Sequence, residues 1–311
     1  MSREGNHSSQ VELRLQAQKT ALRLGLGRRQ LTVMFCDLVG SSALSQRIEL
    51  EELREVVQAY HDLCAEVIAR FDGYFARYLG DGALVYFGFP VAHEGDAYRA
   101  VRAGLEIVAG LPRLNVRLQK TIPALQTLPL QVRIGVHTGP VVAGKVKTAN
   151  TQELVEVVGE PLNISARLQE IAEPNSVCIS EATFQLVQGF FTCRELGTPT
   201  LKDIATPLAV YQVEEETEAR SRLEVAATKG LSPLVGRTSQ LAICRDRWQS
   251  AKKGIGHVVL LGGEAGIGKS RLVQALREQV GEQPHTWLEA HCFPYRQHSA
   301  LYPTIDCYGV L

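Results

Sequence analysis

The sequence predicts an α+β fold of the ferredoxin-like kind over residues 31–213, followed by a partial α/β module over 231–311. Three observations carry that reading. The apolar runs follow the order strand, helix, hairpin, helix, strand. Two of those runs deliver a carboxylate, Asp37 and Asp81, to a turn crowded with small residues. Further on, the glycine-rich stretch Gly263–Ser270 separates an apolar run from a helical pattern.

The elements follow in chain order. Residues 1–30 begin polar and then show helical periodicity through Val11, Leu13, Leu15, Ala21, Leu22 and Leu24, so a lead-in helix is expected there. Leu31–Asp37 reads as a buried strand. Leu53, Val56, Val57, Tyr60, Leu63, Val67 and Ile68 mark a long amphipathic helix that Asp72-Gly73 turns into a hairpin. The hairpin arms are Tyr74–Leu79 and Ala83–Phe89, with Gly80-Asp81-Gly82 at the bend. A second helix is expected over Ala97–Leu111, then an irregular excursion from Pro112 to Pro129. Leu130–His137 and Val141–Val146 read as a strand pair, and Leu154–Val158 leads into a helix over Asn163–Ile171. Val177–Ser180, Phe190–Leu196 and Leu208–Val213 supply later strands, and Glu214–Gly230 reads as a charged helical linker.

Composition bounds the function. With 33 basic and 33 acidic residues in 311, no net field favours nucleic acid or an anionic membrane. No apolar run approaches the length that spans a bilayer, and Met1–His7 has no apolar signal region. Seven cysteines without a Cys-x-x-Cys pair suit reduced thiols, so a cytoplasmic protein is expected.

The candidate chemistry lies in a few short stretches. Asp37 sits in Leu31-Thr-Val-Met-Phe-Cys-Asp-Leu-Val-Gly-Ser-Ser42 and Asp81 in Arg77-Tyr-Leu-Gly-Asp-Gly82. A lone Asp before Gly is more often a plain turn residue. A pair on small-residue turns suits two magnesium ions, which need hard oxygen ligands and room for phosphates. Asn163 and Arg167, four apart in a helical segment, share a face. His137 reads as a structural turn residue rather than a base. Gly263-Glu-Ala-Gly-Ile-Gly-Lys269-Ser270 fits a P-loop in full, after the strand His257–Leu261 and before the helix Arg271–Val280. There Gly263, Gly266 and Gly268 let the backbone approach phosphates, Lys269 reaches the β/γ oxygens and Ser270 holds magnesium. Only one later strand, Thr286–His291, follows, with no apolar run ending in an acid, so the module reads as truncated.

Residues 31–213 resemble the catalytic domain of class III nucleotidyl cyclases, closest to the bacterial soluble type in which a signalling ATPase follows. The matching stretches are Leu31–Ser42, Tyr78–Pro90, Arg133-Ile-Gly-Val-His-Thr-Gly-Pro-Val-Val-Ala-Gly144, Gly159-Glu-Pro-Leu-Asn-Ile-Ser-Ala-Arg-Leu-Gln169 and Leu201-Lys-Asp203. The resemblance implies a palm-like fold and an adenylate cyclase that makes cyclic AMP and pyrophosphate from ATP with two Mg²⁺ or Mn²⁺ per site. It implies that Asp37, Asp81 and the Leu38 carbonyl hold the metals, and that Asn163 and Arg167 orient the ribose and stabilise the transition state. It also sets Lys202 against the triphosphate. Arg77 and Glu156 fall at the base-reading positions, where family adenylate cyclases carry Lys and Asp or Thr. Arg still donates and Glu still accepts, but the pair does not choose between adenine and guanine. A guanylate cyclase, or a nucleotide-binding regulator in which Arg77 and Glu156 pair in a silent site, stays open beside the adenylate cyclase. A single chain with the full set implies a head-to-tail homodimer with two equivalent sites. Val235-Gly236-Arg237 and the P-loop resemble the start of an AAA-like ATPase.

Overall fold

The computed structural model describes residues 27–93, 95–147, 153–202, 204, 207–217, 225, 233–264, 267–281 and 284–290. The expected lead-in helix lies almost wholly outside these residues. The chain divides after Thr217 into two compact units.

The first unit is built on an eight-stranded sheet among the described residues. Its strands are β1 (Gly27–Leu38), β2 (Tyr74–Leu79), β3 (Gly82–Phe87), β4 (Val132–Lys147), β5 (Glu153–Val158), β6 (Ser176–Ser180), β7 (Phe191–Gly197) and β8 (Val210–Glu216). They run in the order β2-β3-β1-β4-β6-β8-β7, with β5 also on β4. The sheet is mixed: β1 is antiparallel to both β3 and β4, whereas β4 and β6 are parallel. The helices are α1 (Ser41–Leu44), α2 (Leu50–Arg70), α3 (Asp96–Leu118), α4 (Glu160–Ile171) and α5 (Glu181–Val187).

Local chemistry explains most boundaries. A reciprocal box of Glu49 and Glu52 caps α2, which buries Val56, Tyr60, Cys64, Val67 and Ile68. The turn out of α2 requires its own residues. Asp72 adopts φ 53°, and a Cβ at Gly73 would lie 2.7 Å from Ile68 Cγ2. Two helices cover opposite faces of β4. Gly104 of α3 packs on Ile134 and Val177, while a Cβ at the neighbouring Gly135 would lie 2.2 Å from the Ser165 carbonyl oxygen of α4.

Three expectations for this unit need correction, and one helix was not expected. The second helix does not end at Leu111 but continues through Pro112 to Leu118. Proline costs the bond to the Val108 carbonyl, yet Ile107, Leu111, Leu114 and Leu118 form one buried stripe that offsets it. Asn115 then fastens the following loop, donating to the Leu130 carbonyl at 3.0 Å and accepting from its N–H at 2.8 Å. The expected pair Leu130–His137 and Val141–Val146 is one strand, β4. Here pairing with β1, which begins at Gly27 rather than Leu31, carries the chain straight through Thr138-Gly139-Pro140. On its other edge β4 meets β6 at 133–136 and β5 at 142–147, and Pro140 falls in the gap between them. The stretch 214–216 belongs to β8, not to a linker, and pairs with β7. The helix α5, which no expectation covered, starts at Ser180, whose hydroxyl accepts from the Thr183 N–H.

The second unit contains α6 (Thr238–Ala251) and α7 (Lys269–Val280). Neither strand expected there forms among the described residues. His257–Leu261 has no regular structure, with Val258 98% and Leu260 92% exposed. Residues 286–290 are likewise irregular, and His291 lies outside the described set. An extended segment without a neighbouring strand has no ladder to join. No helix among the described residues is long and apolar enough to cross a membrane.

Candidate active site

Asp37 stands near the end of β1 and Asp81 in the tight turn between β2 and β3, and the sheet brings the two together because β1 lies beside β3. The turn needs its glycines. Gly80 adopts φ 68°, and a Cβ at Gly82 would lie 2.9 Å from Asp37 Oδ1. Burial pushes the Asp37 carboxyl up to about 6, and the adjacent Asp81 charge and hydrogen bond push the same way. The Leu38 backbone and Arg133 pull in the opposite direction. Asp81 Oδ2 is buried without a hydrogen-bond partner. Two neighbouring carboxylates, one with a raised proton affinity and one with an orphaned oxygen, fit a site for divalent cations. No group of three or more His, Cys, Asp or Glu side chains forms a closed metal cage among the described residues. Two carboxylates leave ligand positions open, as substrate phosphates require.

Arg133 was not singled out by its sequence. It sits directly opposite Asp37 in the β1–β4 register, and its Nε is buried without a partner. Only the register, which periodicity does not give, reveals it.

A β-bulge sets the next two side chains. Tyr74 and Phe75 pair with Tyr86 and Val85, but Arg77 pairs with Leu84, so Ala76 is the extra residue. The bulge moves Arg77 onto the face that carries Leu84 and Tyr86, and Tyr78 onto the opposite one. Arg77 is exposed, and its guanidinium beside the Tyr86 phenol opposes the upward push of burial on that group. Glu156 lies opposite Gly144 in the β4–β5 ladder, and its side chain is outside the described residues.

Asn163 and Arg167 project from α4. Arg167 Nε donates to the Lys202 carbonyl at 3.1 Å, and Nη1 to Glu170 Oε1 at 2.6 Å. The helix thus ties the Lys202 loop to the expected catalytic arginine. Asn163 and the Lys202 side chain are exposed. The structure therefore gathers Asp37, Leu38 and Asp81 at one sheet end, and Arg167 with Lys202 along α4. His137 is not a turn residue. It lies inside β4, 6% exposed, with Nδ1 2.7 Å from Ser180 Oγ, and burial lowers it to about 4. A neutral ring in a buried hydroxyl network with Thr32, Thr138 and Thr183 is a structural element.

In the second unit, Gly268 adopts φ 94° and caps α7. Lys269 Nζ donates to the carbonyls of Gly263 and Glu264 at 2.9 and 2.7 Å, so the loop curls around its lysine. Arg237 donates to the Ile267 carbonyl at 3.0 Å. Ser270 is exposed in the first turn of α7, and Gly266 lies outside the described residues.

Comparison with known proteins matches residues 27–215 to the adenylate and guanylate cyclase catalytic domain and residues 233–311 to an AAA ATPase domain. An uncharacterised Rhizobium meliloti protein is 31% identical over 280 residues, 90% of this chain and 26% of that protein. Adenylate cyclase 1 of the same organism is 29% identical over 189 residues, 60% of this chain and 28% of its own length. The chain thus spans about a quarter of the length of these relatives. Among solved structures, the adenylyl cyclase CyaB from P. aeruginosa is 27% identical at TM-score 0.58, covering 63% of this chain and 98% of that one. The guanylyl cyclase Cya2 is 28% identical at TM-score 0.59, covering 64% and 98%.

Proposed function

The chain belongs to the adenylate and guanylate cyclase catalytic domain family, and we propose that its first unit is an adenylate cyclase. It would convert ATP to cyclic AMP and pyrophosphate, with two Mg²⁺ or Mn²⁺ at each site. The observation that carries this reading is the convergence of Asp37 and Asp81 on Gly82, with one carboxyl raised and one oxygen orphaned.

Bound at that pair, the cations would lower the pKa of the ribose hydroxyl and neutralise the triphosphate. The protein's own groups do the rest. Asp37 and Asp81 would hold the ions, aided by the Leu38 carbonyl, and Gly40 and Gly80, both left-handed, would let the backbone approach phosphate. Arg167, oriented by the Lys202 carbonyl and Glu170, presents a fixed fork to the phosphorus oxygens. Asn163, one turn before it, positions the ribose. Lys202 faces the triphosphate, and Arg77, held at Tyr86, reads the base edge with Glu156. The two gathered groups belong to different subunits at any one site, so the active form is a head-to-tail homodimer. The loop Gly263–Ser270 would take a second nucleotide, with Lys269 leaving its carbonyls for phosphate oxygens.

Purified protein with Mn²⁺ and either ATP or GTP, with cyclic products resolved chromatographically, tests this. Cyclic AMP that disappears in Asp37→Ala supports it. Cyclic GMP instead would make the chain a guanylate cyclase, and no product from a folded dimer that binds nucleotide would make it a regulator.

A further inference from the structure

His61 of α2 takes no part in the proposed chemistry, yet it lies near Asp81. It is 8% exposed, and its ring stacks on Tyr78 with centroids 3.9 Å apart. Burial lowers the proton affinity of the ring, the nearby Asp81 backbone and the Asp81 and Asp62 charges pull it back up, and Nε2 is buried without a hydrogen-bond partner. Tyr78 also meets Phe75, at 4.3 Å between ring centroids. A regular strand would send Tyr78 to the same side as Leu84 and Tyr86. The extra residue at Ala76 is what turns it toward α2 and His61.

Such a bulge is a local irregularity next to a turn only two residues long, so something must fix its register. Stacking on a ring carried by a 21-residue helix does so. We propose that His61 and Tyr78 form a brace that positions Asp81 for metal binding, and that the Ala76 bulge exists to make that brace. His61 is a positioning residue here: it stacks on Tyr78 of the strand that leads into the ligand's turn and does not meet the ion. The same bulge sets Arg77 on the Tyr86 face, so one device aims both the metal carboxylate and the base reader. The inference rests on the two-metal reading of Asp37 and Asp81.

Metals held by carboxylates lose affinity when the groups orienting those carboxylates are removed, typically ten- to a hundredfold. Mn²⁺ binding to the full chain, measured by titration calorimetry without nucleotide, tests the brace apart from turnover. The expected result is binding at least about tenfold weaker in His61→Ala and in Tyr78→Leu, with Tyr78→Phe near wild type because the stack survives. Melting followed by circular dichroism in EDTA reports folding for each variant. Tyr78 is 47% exposed, so Tyr78→Leu carries the test alone should His61→Ala fail to fold. Wild-type Mn²⁺ affinity in folded Tyr78→Leu would overturn the brace. Failure of the wild type itself to bind Mn²⁺, with Asp37→Asn no different, would overturn the two-metal reading and the brace with it. Equal losses in Tyr78→Phe and Tyr78→Leu would overturn the stacking argument by assigning the effect to the hydroxyl.

Discussion

Replacing Asp37 by Asn should make the metal-free protein more stable while abolishing its response to metal. Its folded carboxyl is raised from 3.8 to about 6, so the folded state binds more protons than the unfolded chain between those values. The stability this group contributes is complete below pH 3.8 and is lost as pH rises through 6. Above that, the ionised carboxylate is held at a cost that Asn does not carry. Full conversion of a shift of some two pKa units gives about 3 kcal/mol. The side chain is half-buried, and solvent screening reduces this to roughly 1–2 kcal/mol. In a unit of this size that gain raises Tm by about 2–8 °C. Thermal melts in EDTA at pH 7.5 should show Asp37→Asn above wild type, with the gap closing toward pH 4. Millimolar Mn²⁺ should raise the wild-type Tm and leave the variant unmoved, because ligand binding stabilises only a protein that holds the ligand. A variant that melts below wild type in EDTA, or that gains equally from Mn²⁺, refutes the reasoning.

His137 acts in the opposite sense. Its folded value is depressed from 6.5 to about 4, so stability falls as pH drops through that window, by about 3 kcal/mol. Urea titrations at pH 7 and pH 4.5 should show a shallower loss in His137→Gln, and an unchanged loss would refute the assignment. Between pH 4 and 6 the Asp37 effect partly opposes this one, so the comparison belongs in an Asp37→Asn background. Gly135→Ala should cost about 3 kcal/mol or more, because its methyl would stand 2.2 Å from the Ser165 carbonyl oxygen and 2.3 Å from the Gln169 nitrogen, both backbone atoms. Chemical denaturation measures it, and a loss under about 1 kcal/mol would mean that α4 can lift off β4 freely. Asp37→Ala and Arg167→Ala should each be inactive, with a mixture regaining up to about a quarter of wild-type activity, since random pairing makes half the dimers mixed and each has one intact site. No recovery in a mixture shown to contain mixed dimers would refute the shared site.

The sequence showed most of the scaffold because its signals are local. The α2 stripe, the Asp72-Gly73 turn and the Gly80–Gly82 bend each depend on residues within a few positions, and all appear where the spacing placed them. What stayed hidden depends on partners distant in sequence. Pro112 reads as a helix end until Ile107, Leu114 and Leu118 are known to share one buried stripe. Thr138-Gly139-Pro140 reads as a turn until β1 is seen pairing along its whole length. The neighbouring carboxylates Asp37 and Asp81 were legible because each ends its own apolar run. Arg133 and His61 were not, because one is defined by cross-strand register and the other by a bulge.

The residues that sequence periodicity missed have a common cause. A site for dications holds like charges close together, so in the metal-free protein it is an electrostatic strain that its surroundings must contain. Arg133 contains part of it by attraction, lowering Asp37 against burial and against Asp81. The bulge and the Tyr78–His61 stack contain the rest mechanically, since Asp81 Oδ2 has no hydrogen bond to hold the turn in place. Neither support touches substrate, so neither leaves a mark at a catalytic spacing. Both are needed because Gly80 and Gly82, which on the proposed function admit phosphates, deprive the turn of the side chains that would otherwise stiffen it. Openness to substrate at the turn therefore requires rigidity one layer behind it.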